Sequence, residues 1–278
     1  MSRPRIGLAL GGGGPKGLVH IGVLKVLEKH QIPIDFIAGT SAGAIAGGLY
    51  AISKDINEIE KYFIDKNWFS TLRLLDPLFT QGIIQGKKIS ELLKKFLGSR
   101  GFTDLKIPFK AISTNLLDGK TVTLDKGNLV EAIVASCSVP MVFKPVALDG
   151  KILVDGGVTS PVPVEIVKKM GADIVIAVNL YHYKIDCQIN EKDNFVKIGM
   201  YTIEMMMHQM SFKETCAADI VVYPNTKQIG LSTLLNKNQK QQAIHEGEAA
   251  MEAVIPKLKH LINKKQRMGI WERIKKLF

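Results

Sequence analysis

The sequence predicts an open α/β sheet with helices on both faces, and three observations carry that expectation. Short apolar runs, RIGLAL (5–10), DFIAGT (35–40) and DIVIAVNL (173–180), read as strands buried on both sides. Helical patterns follow the first two directly, in LVHIGVLKVLEKH and SAGAIAGGLYAIS. The resulting order of strand, loop, helix, strand and helix is how a parallel sheet begins.

The later elements fit the same plan. Helical patterns cover 55–66 and 87–97, on either side of the irregular stretch LLDPLFTQGIIQG. FKAIST (109–114) and KTVTL (120–124) are strand-like around the turn signal Asp118-Gly119. Residues 127–137 read as a helix that stops before Pro140, and PVAL and KILV flank Asp149-Gly150 as a hairpin. A helix over 193–214, a strand in DIVVYP and a helix over 239–262 complete the chain.

The chain has 278 residues, of which 46% are hydrophobic and 23% charged, an ordinary globular balance. No linker rich in Pro, Gly or Ser divides it, and no repeat appears. One domain is expected over 1–263, followed by a basic amphipathic tail over 264–278. The net charge is +11, and that tail, KKQRMGIWERIKKLF, alone holds six Lys/Arg against one Glu. Such a balance suits an anionic partner, either membrane lipid or nucleic acid. In the tail, Ile270, Trp271, Ile274, Leu277 and Phe278 share one helical face within a basic surround. That is the pattern of an interfacial helix, so an anionic membrane surface is the expected partner and nucleic acid is not. The bland alternative is a terminal helix docked on its own domain.

Cys137, Cys187 and Cys216 are odd in number and far apart, which fits a reducing compartment and offers no zinc spacing. No apolar run is long enough for a signal core or a membrane span. The expected location is the cytoplasm, with the tail allowing a peripheral place on the inner face of the membrane. No metal and no cofactor are expected.

Two glycine-rich strings carry the chemistry. GGGGPKG (11–17) turns a strand into a helix and gathers backbone N–H groups near a helix N-terminus. Gly12-x-Gly14-x-x-Gly17 also matches a dinucleotide fingerprint, but the second strand ends in Gly39-Thr40-Ser41 rather than in an acid. A phosphate P-loop fails as well, because Leu18 follows Gly17. GTSAG (39–43) places Ser41 between a strand and a helix, with Gly39, Ala42 and Gly43 permitting a tight elbow. A helix cap is the competing reading of Ser41, although a cap needs neither glycine.

A serine hydroxyl needs a base. Of the six histidines only His182 follows a strand's C-terminal end, and a lone loop histidine is more often simply exposed. Among the acids, Asp155 ends the strand KILVD and is followed by Gly156 and Gly157. Asp118 and Asp149 have hairpin explanations, whereas the proline-rich VTSPVPV after Asp155 is unlike a paired central strand. By itself, a turn aspartate remains the commoner explanation of Asp155.

Taken in order, GGGGPKG, GTSAG and DGG resemble the patatin-like phospholipase family, in its bacterial branch. The likeness runs from about residue 5 to about 225 and includes LVHIGVLKVLE, IVASCSVPMVFKPV and GADIVIAVNL. It implies a three-layer α/β/α sandwich with a mostly parallel central sheet, and a serine–aspartate dyad at Ser41 and Asp155. It also implies an oxyanion loop at Gly12, Gly13 and Gly14, helped by the N–H of Ala42, with Lys16 at a basic position. The activity implied is hydrolysis of fatty-acyl esters of lipids, without calcium or another cofactor. Pro15 and Asn115 depart from the family pattern, where a small residue and an acid are usual. A binding or regulatory module of the same fold, with little turnover, stays open beside the hydrolase.

Overall fold

A computed structural model describes residues 3–65, 87–182 and 193–275, with the side chains of 65, 87, 88 and 268–275 left out. LLDPLFTQGIIQG and Cys187 lie outside the described residues. The strands are β1 (Ile6–Leu10), β2 (Phe36–Thr40), β3 (Phe109–Asn115), β4 (Thr121–Leu124), β5 (Val146–Leu148), β6 (Lys151–Asp155), β7 (Ile174–Val178) and β8 (Ile220–Val222). The helices are α1 (Val19–Lys29), α2 (Ala42–Ser53), α3 (Ile56–Asp65), α4 (Lys87–Leu97), α5 (Leu129–Ser136), α6 (Val164–Lys169), α7 (Phe195–Thr215) and α8 (Lys237–Lys275).

The described strands form one sheet in the order β5-β6-β3-β2-β1-β7-β8, with β4 on β3. From β3 to β8 neighbouring strands run parallel. Around β3 the sheet turns mixed, because β4 and β6 both pair with it antiparallel, and β5 hairpins onto β6. In that hairpin Asp149 and Gly150 both have positive φ, as a two-residue turn between twisted strands requires.

Alternation along each strand divides the core between two faces. Ile6, Leu8 and Leu10 of β1 and Ile174, Ile176 and Val178 of β7 join the larger cluster, with residues of α1, α2 and α8. Ala9, Ala38, Val175 and Ala177 point the other way, onto Val164 and Val167 of α6. The face of small residues lets α6 sit close to the sheet, while the face of branched residues carries the thick helical layer. The expected α/β sandwich with helices on both faces is the fold observed.

Two details bear on the expected elements. After β6 a 3-10 turn over Gly156–Val158 and an irregular stretch lead into the short α6, so VTSPVPV forms no strand, as its prolines suggested. The last helix does not stop at 262: α8 continues to Lys275, so the division expected at 263/264 falls inside one helix. Within the basic segment, Lys265 Nζ reaches the Asp173 carbonyl and lies 3.4 Å from Asp219 Oδ1. The side chains that would form the tail's apolar face lie outside the described residues. Among the described residues no helix is long and apolar enough to cross a membrane.

Candidate active site

The site forms where two strands end against a third. β2 follows β3 as far as Thr40, opposite Ile112. β6 meets β3 where β2 leaves it, with Asp155 opposite Ser113. Because β4 holds the other edge of β3 over Ala111–Thr114, β2 and β6 share one edge and meet end to end. Ser41, the residue after β2, and Asp155, the last of β6, are thereby brought together from distant parts of the chain.

Ser41 adopts φ 54° and ψ −118°, a conformation that costs a non-glycine residue about 1–3 kcal/mol. Close backbone crossings hold it there: a Cβ at Gly43 would stand 2.1 Å from the Leu10 carbonyl oxygen, and one at Gly39 2.3 Å from that of Gly43. The Ser41 hydroxyl makes no capping bond to α2, so the cap reading does not describe it. Its N–H donates to Ser136 Oγ at 2.9 Å.

Asp155 is 2% exposed. Its Oδ1 accepts the Gly157 N–H at 2.7 Å, while the buried Oδ2 has no partner of hydrogen-bond geometry. Burial pushes this carboxyl up to about 6, against the pull of the Ser41 hydroxyl and the Gly157 N–H, which favour the ionised form. Ser41 is thus near enough to act on the carboxyl, but Oδ2 is not locked by it. Such loose contacts are common in sites that tighten only around a ligand. Cys137 borders the pair, and burial together with Asp155 pushes its thiol well up, which keeps it protonated.

The glycine loop divides its N–H groups between structure and site. Gly11 donates to the Val178 carbonyl at 3.1 Å and Gly12 to the Pro161 carbonyl at 3.0 Å. The N–H groups of Gly13, Gly14 and Ala42 take part in none of the hydrogen bonds of the described residues. Gly13 (φ 153°) and Gly14 (φ 54°) both need the freedom of glycine, and successive N–H groups in such turns form a cradle for an anion. At Gly12 a Cβ would lie 3.4 Å from Ser41 Cβ, so a bare backbone there keeps the serine reachable. Gly17 rests against Ala42 and Gly156 against the Ile112 carbonyl. Pro15 lies in the first turn after the loop, where a missing N–H is harmless. The Lys16 ammonium pairs with Glu204 of α7 at 3.2 Å, and burial lowers its pKa.

Several supporting residues were not singled out by their motifs. His20 is fully buried behind the loop, its Nε2 2.8 Å from the Gly11 carbonyl, and burial lowers its pKa to about 4. The ring is therefore neutral and Nε2 donates. Glu214 of α7 accepts the Ser160 hydroxyl at 2.5 Å and the Val162 N–H at 2.7 Å, with burial pushing its carboxyl up to about 7. Thr40 Oγ1 donates to the Ser160 carbonyl at 2.8 Å. The segment that follows Asp155 is thus tied to the glycine loop, to the end of β2 and to α7. The one sequence signal for His20 was a polar residue among the apolar residues of the first turns of α1. His182 is exposed, with its ring against Tyr223 and Phe212. Among the described residues no three His, Cys, Asp or Glu side chains cluster as metal ligands would.

The chain is therefore an α/β protein of the serine-elbow class, with a buried carboxylate beside the serine. Its matches with known proteins narrow that class. The patatin-like phospholipase model matches residues 8–168, and the chain belongs to this family. An uncharacterised NTE family protein of Mycobacterium tuberculosis is 39% identical over 180 residues, covering 64% of this chain and 50% of that protein. Lysophospholipase NTE1 of Debaryomyces hansenii is 37% identical over 188 residues, or 65% of this chain and 12% of that protein. The crystal structure of VipD from Legionella pneumophila aligns over 90% of this chain and 67% of that chain, with 13% identity and a TM-score of 0.48. The chain thus spans half the length of the mycobacterial relative and a small part of the yeast one.

Proposed function

We propose that the protein is a serine acyl hydrolase that cleaves fatty-acyl esters of lipids, of the phospholipase A, lysophospholipase or esterase type. The observation that carries this reading is the buried, open Oδ2 of Asp155 beside a serine held in a strained elbow. Ser41 Oγ attacks the ester carbonyl while Asp155 takes its proton, directly or through a water. The carbonyl oxygen becomes an oxyanion and is met by the N–H groups of Gly13, Gly14 and Ala42. Each such donor is worth roughly 2.7–4 kcal/mol in related chemistry. Collapse releases the alcohol, which receives the proton from Asp155. Water then attacks the acyl-enzyme as Asp155 accepts its proton; collapse breaks the bond to Ser41 Oγ, which takes that proton back from Asp155, and the fatty acid leaves. The Gly12 N–H is taken by Pro161, so Gly12 serves this reading by its bareness.

Burial suits Asp155 to the task. A carboxylate at its ordinary value of about 3.9 is a weak base; one near 6 is stronger and still ionised at neutral pH. The family and the lysophospholipase relative support a lipid ester as substrate. In the test, purified protein is offered a p-nitrophenyl fatty ester and a lysophospholipid. Turnover by wild type that is lost in Ser41→Ala and Asp155→Asn supports the reading. A folded wild type that turns over neither leaves the binding module of the same fold.

The basic segment is proposed to rest on an anionic membrane from the cytoplasmic side. Lys265 is engaged with the body, whereas Lys264 and Arg267 beside it are exposed. Flotation with anionic vesicles should weaken in a chain ending at residue 263; equal flotation refutes the role.

A further inference from the structure

We propose that Ser136, at the end of α5, is a positioning residue that sets the attack geometry of Ser41 through its backbone. This inference rests on the hydrolase reading above. The Ser136 side chain is fully buried and makes two bonds of fixed direction. Its hydroxyl lies 2.5 Å from the Ile112 carbonyl oxygen, which can only accept, so the single hydroxyl proton goes there. The Ser41 N–H, which can only donate, then points to a lone pair of the same oxygen at 2.9 Å. A relay therefore runs from β3 through Ser136 to the backbone of the strained elbow. Its anchor, Ile112, is the residue at which β2 leaves β3.

The same segment holds the other half of the site. Two residues on, the Ser138 carbonyl accepts the Asp155 N–H at 2.9 Å. Residues 136–138 thus grip the backbones of Ser41 and Asp155 at once, with the Cys137 thiol lying beside both side chains. A bracket of this kind fixes the separation of nucleophile and base without touching either reacting atom. An elbow at φ 54° is not the conformation an unheld serine prefers, so removal of one anchor lets the hydroxyl drift from its attack line.

Ser136→Ala is compared with Ser136→Thr, which keeps the hydroxyl, and with Tyr62→Phe. The Tyr62 hydroxyl donates to the Leu92 carbonyl at 2.6 Å between α3 and α4, so its loss controls for a missing buried hydroxyl as such. In Ser136→Ala, kcat on the p-nitrophenyl ester should fall roughly 10–100-fold with KM nearly unchanged. The midpoint of the kcat/KM pH profile should stay where it is, because Asp155 keeps its surroundings. Ser136→Thr should recover most of the loss, and Tyr62→Phe should lose melting temperature but not kcat. If Ser136→Ala turns over like wild type, or no more slowly than Tyr62→Phe, this proposal falls while the hydrolase reading stands. If wild type itself does not turn over, the hydrolase reading falls and the role of Ser136 with it.

Discussion

The carboxylates of this protein live in two opposite environments. At the edge that forms the candidate site, Asp155 and Glu214 are pushed up to about 6 and about 7, because burial outweighs the bonds that favour their charge. Along the seam between α1 and α8, Glu248 and Glu252 are held below the ordinary range. At Glu248 burial is the largest single effect and opposes this, but the bonds and charges of Lys25 and His245 together outweigh it; at Glu252 the bonds from Lys29 and His30 come first. In the seam Lys25, Lys29, His30, His245, Glu248 and Glu252 are all engaged in ion pairs. The edge is unsaturated: Asp155 Oδ2 and Ser113 Oγ are buried without hydrogen-bond partners. In the proposed mechanism the group that moves the proton, Asp155, is the one left short of a partner, while the carboxylates that join α1 to α8 are not.

The sharpest way to break that contrast is to remove the edge carboxylate. Asp155→Asn should lower kcat by about 10²–10⁴-fold, the usual worth of a general base. The same change should make the fold more stable at neutral pH. A buried carboxyl raised from 3.8 to about 6 is disfavoured in its ionised form by up to about 3 kcal/mol. The sign follows from linkage. Below pH 3.8 the group is neutral in both folded and unfolded chains and costs nothing. As pH rises from about 4 to 6 the unfolded chain loses its proton first, and stability falls. Asp155→Asn should therefore gain melting temperature over wild type at pH 8 and little at pH 4, by calorimetry at both values. No gain at pH 8 would mean that the carboxylate is not penalised where it sits.

A smaller effect is expected at Glu214. Glu214→Gln keeps the shape but trades one acceptor for a donor facing the Ser160 hydroxyl or the Val162 N–H. Loss of about one hydrogen bond between α7 and the loop after Asp155 should cost about fivefold in kcat/KM. The smallest effect belongs to the seam. Glu252→Gln, in an exposed pair, should leave turnover and melting temperature where they were, as surface pairs usually do. A loss of activity there would show that the seam reaches the site.

How far the sequence reached depends on how local each signal is. Strand–loop–helix units and the Asp118-Gly119 and Asp149-Gly150 turns were legible because apolar period and turn chemistry act within a few residues. The pairing of Ser41 with Asp155 came from motif order and resemblance, not from any pattern between them. Its physical cause, two strands ending on one edge of β3, is a matter of sheet topology that no local window contains. Ser136 escaped for the same reason: its bond to the Ser41 N–H joins chain positions 95 apart. The extent of α8 escaped differently: the expected helix already passes through Pro256, but the basic stretch after 262 reads as a separate tail, whereas α8 runs on to Lys275. Even the Gly12 N–H, indistinguishable from its neighbours in GGGGPKG, is spent on a carbonyl that only the folded chain supplies.

The measurement closest to the central claim is the rate of labelling by a fluorophosphonate probe across pH 4.5–8, with the adduct located by mass spectrometry. One adduct on Ser41, forming faster as pH rises through about 6 and much more slowly in Asp155→Asn, is the expected result. Labelling elsewhere, or a Ser41 rate indifferent both to pH and to Asp155→Asn, would contradict it.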